Sequence, residues 1–452
     1  MLRGAFLLLL AVTLGVSSPG CAARRRACAS PELMRASGQI DLNSKADENA
    51  VLDTDLLRTY AERMRTSRST PVAPPKRVLA LSGGGMYGAY TTGVLAGWTA
   101  TGERPTFDVV TGVSTGGLIA TFAFLGSQYD RQLAEIYTNV SSRDIYRKRL
   151  IGSALWSDSA ASSAPLKKLI DGQVTDALLQ EVAAAHNAGR RLFVATTNID
   201  TRRLVIWDLG AIAASGRPDS RELYRNVLLA SASPPGFLPP VPIEVEVNGK
   251  RFTELHVDGG ATSGVFLRAS TLHIDPAAIK AGEQPLAGSE AYVIVAGKLY
   301  ADPACVQRRA LRIGESSLNS LLTSQLRGEL FRIYSLSLLS GMKFNLSAVP
   351  EDFEAEGSTM NFDPETMKKL YEMGYAAATG RQAWRDTPPG AEPHEQTKPH
   401  QTKRRTDHQR PTQPYLPRKN RSYQGSNKRG EMLQTLGKRN KDGAVFSRNR
   451  LH

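Results

Sequence analysis

The chain has 452 residues, 41% hydrophobic and 22% charged, which allows one large packed domain or two ordinary ones and excludes a wholly disordered chain. Its formal net charge of +14 is unevenly placed, with fifteen Lys and Arg against six Asp and Glu between Asp386 and His452. The remainder therefore carries only about +5, and a globally basic, nucleic-acid-binding body is not implied. Three cysteines (Cys21, Cys28, Cys305) and three histidines outside the tail, with no His-x-x-x-His or Cys-x-x-Cys spacing, exclude a disulfide framework and a zinc knuckle. No metal and no cofactor is expected.

Met1-Leu2-Arg3 is a short basic start, and the twelve residues Ala5–Val16 are apolar. That run is too short to span a bilayer, which takes about 20 residues, and has the length of a signal-peptide core. Ser18-Pro19-Gly20-Cys21 resembles a bacterial lipoprotein cleavage site, although Ser18 stands where leucine is usual and Arg24-Arg25-Arg26 opposes export. The expectation is a signal peptide over residues 1–21 and a lipid anchor on Cys21, which would hold the chain at the bacterial envelope. An ordinary secretory signal and a non-exported apolar start are the alternatives.

Residues 22–75 read as a polar segment with a helix over Asp53–Met64, closed by the stiff linker Pro71-Val72-Ala73-Pro74-Pro75. The compact domain is expected over 76–384. Val78–Leu81 reads as a strand buried on both faces. It runs into Ser82-Gly83-Gly84-Gly85-Met86-Tyr87-Gly88, followed by a helix with Tyr90, Val94, Leu95 and Trp98 on one face. The glycine spacing lacks the acidic residue of a dinucleotide site, and Gly-Lys-Ser/Thr is absent. Consecutive amides in such a loop can instead stabilise an oxyanion.

Phe107–Val110 then leads as a strand into Thr111-Gly112-Val113-Ser114-Thr115-Gly116-Gly117, and an apolar helix follows to Gly126. Strand, sharp turn and helix around Gly-x-Ser-x-Gly is the context of a nucleophile elbow, with Ser114 at its apex. Both glycine-bearing turns follow strands, so they should emerge at the same carboxyl edge of a parallel sheet.

Strands are expected at Leu192–Thr196 and Leu204–Trp207, and a helix at Arg221–Leu229. The five prolines in Ala230–Pro242 predict a rigid, extended path. A hairpin over Ile243–Val247 and Arg251–Val257, turned by Asn248-Gly249, ends in Asp258-Gly259-Gly260. Asp258 is a candidate base, whereas Asp-Gly is also an ordinary strand end. His256, two residues earlier on the same strand face, could complete a triad, with a structural role as the alternative.

Taken together, these blocks resemble the patatin-like phospholipase family: Ser82–Gly88, Gly112–Gly116, the Ala-Ser-x-x-x-Pro-type stretch from Ala230, and Asp258-Gly259-Gly260. The segment from Phe362-Asp363-Pro364 to Gly374-Tyr375 resembles the closing helix of bacterial members. The resemblance implies a three-layer α/β/α sandwich with a mainly parallel sheet and a Ser–Asp dyad acting on acyl esters of membrane lipids. By the same resemblance Ser114 is the nucleophile, Asp258 the base, and Gly83, Gly84, Gly85 and Thr115 the oxyanion hole. Two positions depart from the family pattern: Tyr87 replaces a basic residue, and no asparagine follows Asp258-Gly259-Gly260 closely. The implied partners are a phospholipid or other acyl ester and a membrane surface. A general esterase or thioesterase, and a catalytically silent lipid-binding envelope protein, are the alternatives.

Beyond Asp258, Ala291–Gly297 predicts a late core strand. Ser316–Leu339 predicts a helix whose stripe of Leu321, Leu322, Leu326, Leu330 and Ile333 is read as core rather than membrane contact. Cys305 could pair with Cys28 in an export compartment. Residues 385–452 lack apolar periodicity and read as a disordered basic tail, either dispensable or drawn to anionic head groups, with nucleic acid as a poorer third alternative.

Overall fold

The computed structural model describes residues 74–391, except 150–156, 248–249, 275–276, 278–283, 302–304 and 355–357. The expectations for the signal peptide, Cys21, the early helix, the Asn248-Gly249 turn and the basic tail beyond Ala391 lie outside the described residues. The first residues of the expected tail are ordered instead, since Arg385 exchanges two backbone hydrogen bonds with Leu346.

Among the described residues, ten strands are β1 (Arg77–Leu81), β2 (Val109–Val113), β3 (Arg147–Lys148), β4 (Ala161–Ser162), β5 (Arg191–Asn198), β6 (Arg203–Asp208), β7 (Val241–Val247), β8 (Lys250–Asp258), β9 (Glu290–Val295) and β10 (Lys343–Ala348). The main sheet has the order β10-β9-β1-β2-β5-β8-β7, with β6 paired to β5 off that path. The pairings from β10 through β9, β1 and β2 to β5 are parallel. β6 and β8 run antiparallel to β5, and β7 antiparallel to β8. β3 and β4 make a separate antiparallel pair.

The principal helices are α1 (Gly88–Ala100), α2 (Thr115–Leu125), α3 (Asp130–Asn139), α4 (Ala164–Gln173), α5 (Ser220–Ser231), α6 (Ala310–Ser340) and α7 (Pro364–Thr379). Alternation along each strand assigns residues to the two faces. Leu79, Leu81, Val110, Val194 and Ile294 join Val94, Ile119, Leu133, Ile170, Val227 and Leu370 from α1 to α5 and α7 in one core. Val78, Ala80, Val113, Ala195 and Val293 face the other layer, where Leu330, Ile333 and Tyr334 of α6 meet Val265–Leu267. Each fully buried Leu, Ile or Val contributes about 1.5–3 kcal/mol, so both layers are needed to cover a sheet apolar on both faces. The result is the α/β/α sandwich expected. Trp384 closes the first layer against Trp98 and Tyr292, at centroid separations of 4.8 and 5.0 Å.

Three segments differ from their sequence reading. The proline-rich path is not extended throughout: α5 continues to Ser231, and Phe237 and Leu238 N–H donate to Pro234 O, making a turn. Pro242 lies inside β7, where the loss of a ladder N–H is tolerated because β7 is an edge strand. α6 begins at Ala310, and its apolar stripe divides. Leu330 and Ile333 are fully buried, whereas Leu321 and Leu322 are 66% and 40% exposed. β10 escaped the sequence reading, although Gly341 caps the preceding helix and Lys343–Ala348 alternates polar and apolar residues.

Candidate active site

Ser114 follows the last residue of β2 and precedes α2, with φ 55° and ψ −128°. A non-glycine residue at positive φ is strained by roughly 1–3 kcal/mol and persists only when its surroundings hold it. The flanking glycines show how tight the turn is, since a Cβ on Gly112 would lie 2.5 Å from Gly116 O. Ser231 Oγ, from the end of α5, supplies the restraint. It accepts from Ser114 N–H at 3.0 Å and donates to Ala195 O at 2.8 Å, so one buried hydroxyl ties the elbow to β5.

Ser114 Oγ donates to Asp258 Oδ2 at 2.6 Å, and Gly260 N–H donates to Asp258 Oδ1 at 2.7 Å. Sheet register places the two side chains. Val113, at the end of β2, pairs with Ala195 of β5, and Asp258, at the end of β8, pairs with the next residue, Thr196. β6 holds the opposite edge of β5 over the same residues. β2 and β8 therefore approach each other end to end along one edge of β5, and their last residues meet. Asp258 is 6% exposed. Burial pushes its carboxyl up to about 6, against the lowering pull of its hydrogen bonds from Ser114 and Gly260.

The glycine loop faces the same serine, since a Cβ on Gly83 would stand 3.0 Å from Ser114 Cβ. Gly83 N–H departs from its expected role. It donates to Gly264 O at 2.9 Å and is not a free oxyanion donor. Among the described residues, Gly84 and Gly85 N–H have no acceptor, and Thr115 N–H opens α2, where first-turn amides lack intrahelical partners. Gly84 must be glycine on steric grounds, because a Cβ there would fall 1.7 Å from Ala296 O.

His256 is fully buried, and its ring bonds to neither Ser114 nor Asp258. Its Nδ1 is 2.8 Å from Thr196 Oγ1 and its Nε2 is 3.2 Å from Glu254 Oε2. Burial lowers its pKa, so the ring is neutral, and only the Nε2–H tautomer can donate to the Glu254 carboxylate. Thr196 Oγ1 also accepts from Trp207 Nε1 at 2.8 Å. These contacts give His256 the structural role. Tyr87, in place of the family's basic residue, makes an edge contact with Phe353 at 6.2 Å.

Ser114 lines an apolar channel of about 100 Å³. Leu118 and Phe122 of α2, Leu133, Ile136 and Tyr137 of α3, and Leu166 and Ile170 of α4 line it. Positions 114, 118 and 122 lie on successive turns of one helix face, so the wall recedes from the serine in helical steps. Neither Ser231 nor this channel was singled out from the sequence. Ser231 falls in the Ala-Ser-x-x-x-Pro block, which was its available signal, but the channel comes from helices whose apolar faces look like ordinary core. Among the described residues, no group of acidic, His or Cys side chains could hold a metal ion.

Residues 79–269 match the family model described as patatin-like phospholipase. No curated protein matches the sequence. Solved structures similar to this one include VipD from Legionella pneumophila, 13% identical with a TM-score of 0.36, covering 69% of this chain and 67% of that one. The type III effector protein ExoU is also similar, 14% identical with a TM-score of 0.34, covering 69% of this chain and 53% of that one. The chain thus spans about half the length of the latter.

Proposed function

We propose, on the premise that residues 79–269 are a patatin-like phospholipase domain and the protein a lipid acyl hydrolase, that Ser114 and Asp258 are its catalytic dyad. The supporting observation is the 2.6 Å hydrogen bond from Ser114 Oγ, which lines an apolar channel, to a buried carboxylate. A serine hydroxyl is a poor nucleophile until a base takes its proton, and a carboxyl raised to about 6 is a far better base than one at its usual value while still ionised at pH 7.

In this reading the acyl chain lies in the channel and the ester carbonyl sits over Ser114. Oγ attacks the carbonyl carbon as its proton passes to Asp258, and the oxyanion is held by the Gly84 and Gly85 N–H groups, with Thr115 N–H at the head of α2. Collapse of the intermediate breaks the ester bond, and the Asp258 proton goes to the leaving alcohol oxygen. Water then attacks the acyl-enzyme with Asp258 again as base, releasing the fatty acid and restoring Ser114. The apolar lining favours long acyl chains, and hence phospholipids or lysophospholipids over small polar esters.

The same proposal places the mature chain at the bacterial envelope, anchored through Cys21. Cys305 is disulfide-bonded, which fits an oxidising compartment. Fatty-acid release from phospholipid by the purified protein, lost in Ser114→Ala together with fluorophosphonate labelling, is the expected result. A protein that bound lipid but neither labelled nor released fatty acid would instead be the silent lipid-binding alternative. Loss of lipid labelling in Cys21→Ser is the corresponding check on the anchor.

A further inference from the structure

We infer that the amino-terminal half of α6, together with the β7–β8 hairpin, is a docking surface for an anionic phospholipid bilayer; this rests on the lipid-hydrolase reading above. The carboxyl end of α6 turns at Gly341 into β10, whose Lys343 pairs with Glu290 at the start of β9. The helix therefore runs antiparallel to the parallel strands, and its amino-terminal end points to the edge where Ser114 sits. Its 31 residues measure about 46 Å, whereas a six-residue strand spans about 20 Å, so roughly half the helix overhangs the sheet.

Burial follows that division. Gln325 donates to Thr262 O, and Arg268 makes a paired contact with Glu329 at 2.8 and 3.3 Å, fixing the helix beside the Asp258 loop. Earlier in the helix, Leu318, Leu321 and Leu322 share one face at i, i+3 and i+4 and are 56%, 66% and 40% exposed. Arg308, Arg309 and Arg312 are exposed around its start, and Glu315, which pairs with Arg312 at 2.8 Å, is the acidic residue among them. An apolar face flanked by arginines fits acyl chains below and phosphates above.

A second apolar projection lies at the same edge. β8 pairs with β5 only from Asp258 to His256, and Ile199 N–H then donates to Leu255 O, after which the hairpin extends past the end of β5. Phe252 and Leu255 on this overhang are 52% and 38% exposed. Among the described residues no helix is long and apolar enough to cross a membrane, so α6 would lie on a bilayer. Two overhanging apolar elements at the sheet edge that carries Ser114 would hold that edge against a bilayer.

Co-sedimentation with vesicles of phosphatidylglycerol and phosphatidylcholine tests this, using the full chain with Cys21→Ser so that no acyl anchor contributes. Leu318→Ser/Leu321→Ser/Leu322→Ser is expected to lower binding about tenfold, and Arg308→Gln/Arg309→Gln/Arg312→Gln to lower it comparably and flatten its salt dependence. Phe252→Ser should give a smaller loss. Turnover of a water-soluble short-chain ester should stay within about twofold in all three, since these side chains are remote from the dyad. Unchanged vesicle binding in both triple variants overturns the inference. So does a leucine variant that turns an oligomer into a monomer with binding intact, which would assign the face to a second copy. Vesicle binding with no ester turnover in the unmodified chain would instead remove the hydrolase reading alone.

Discussion

Ser114 Oγ and Asp258 Oδ2 stand 2.6 Å apart across 144 residues of chain, because the last residues of β2 and β8 meet along one edge of β5. The pair depends on sheet register, and a one-residue slip of β8 would turn Asp258 to the opposite face.

Ser114→Ala and Asp258→Asn should each lower turnover of a soluble ester by roughly 10²–10⁴-fold or more. Neither should unfold the domain, because both are close in volume to the residue replaced. Initial rates with circular dichroism on the same samples check this; activity within tenfold of the parent in either would contradict the dyad.

The raised carboxyl of Asp258 predicts a pH profile. Base catalysis needs the ionised form, so kcat/KM should fall as pH drops through about 6 rather than through about 4. Stability moves the other way. An unfolded aspartate ionises near 3.8 and the folded one near 6, so folding loses free energy as pH rises between those values and holds the full penalty, about 3 kcal/mol, above them. Asp258→Asn removes that penalty. It should melt above the parent at pH 8, with the difference vanishing near pH 4; a pH-independent difference would count against the shift.

Ser231→Ala deletes the hydroxyl that holds Ser114 N–H and Ala195 O. Two buried backbone groups lose a partner, at about 1–3 kcal/mol of stability. The elbow loosens, and kcat should fall about tenfold while KM changes little, because the channel wall is untouched. A change in KM alone would show that Ser231 serves substrate binding instead.

Leu118 lies one helical turn from Ser114, about 6 Å along the channel wall. Leu118→Trp should block the passage beyond that point. Activity on esters of long fatty acids should drop at least tenfold relative to acetyl or butyryl esters, read as a ratio of kcat/KM values. Equal loss across chain lengths would place the acyl chain elsewhere.

The strand–turn–helix around Ser114 was legible because local rules fix it: a β-branched run, glycines where a Cβ collides, and an apolar helix. The Asp258 strand end and the hairpin were legible for the same reason. The apolar stripe of α6 was not resolved, because periodicity reports which residues share a face and not how far the body reaches along it. Leu330 and Leu321 follow the same pattern, yet one is fully buried and the other 66% exposed. Gly83 was grouped with Gly84 and Gly85 because all three are glycine. The carbonyl of Gly264, remote in sequence, takes its amide and leaves the other two.

The sequence by itself determined the α/β order of elements, the strained apex at Ser114 and the aspartate at the end of β8, since each follows from backbone sterics and hydrophobic period within a few residues. Only the tertiary structure decided how those residues are brought together and what supports them. Pairing of β2 and β8 on β5 joins Ser114 to Asp258, burial raises that carboxyl, and Ser231 closes the elbow from another helix. Those outcomes depend on distances between segments far apart in the chain, which are set when the sheet and both helical layers pack together.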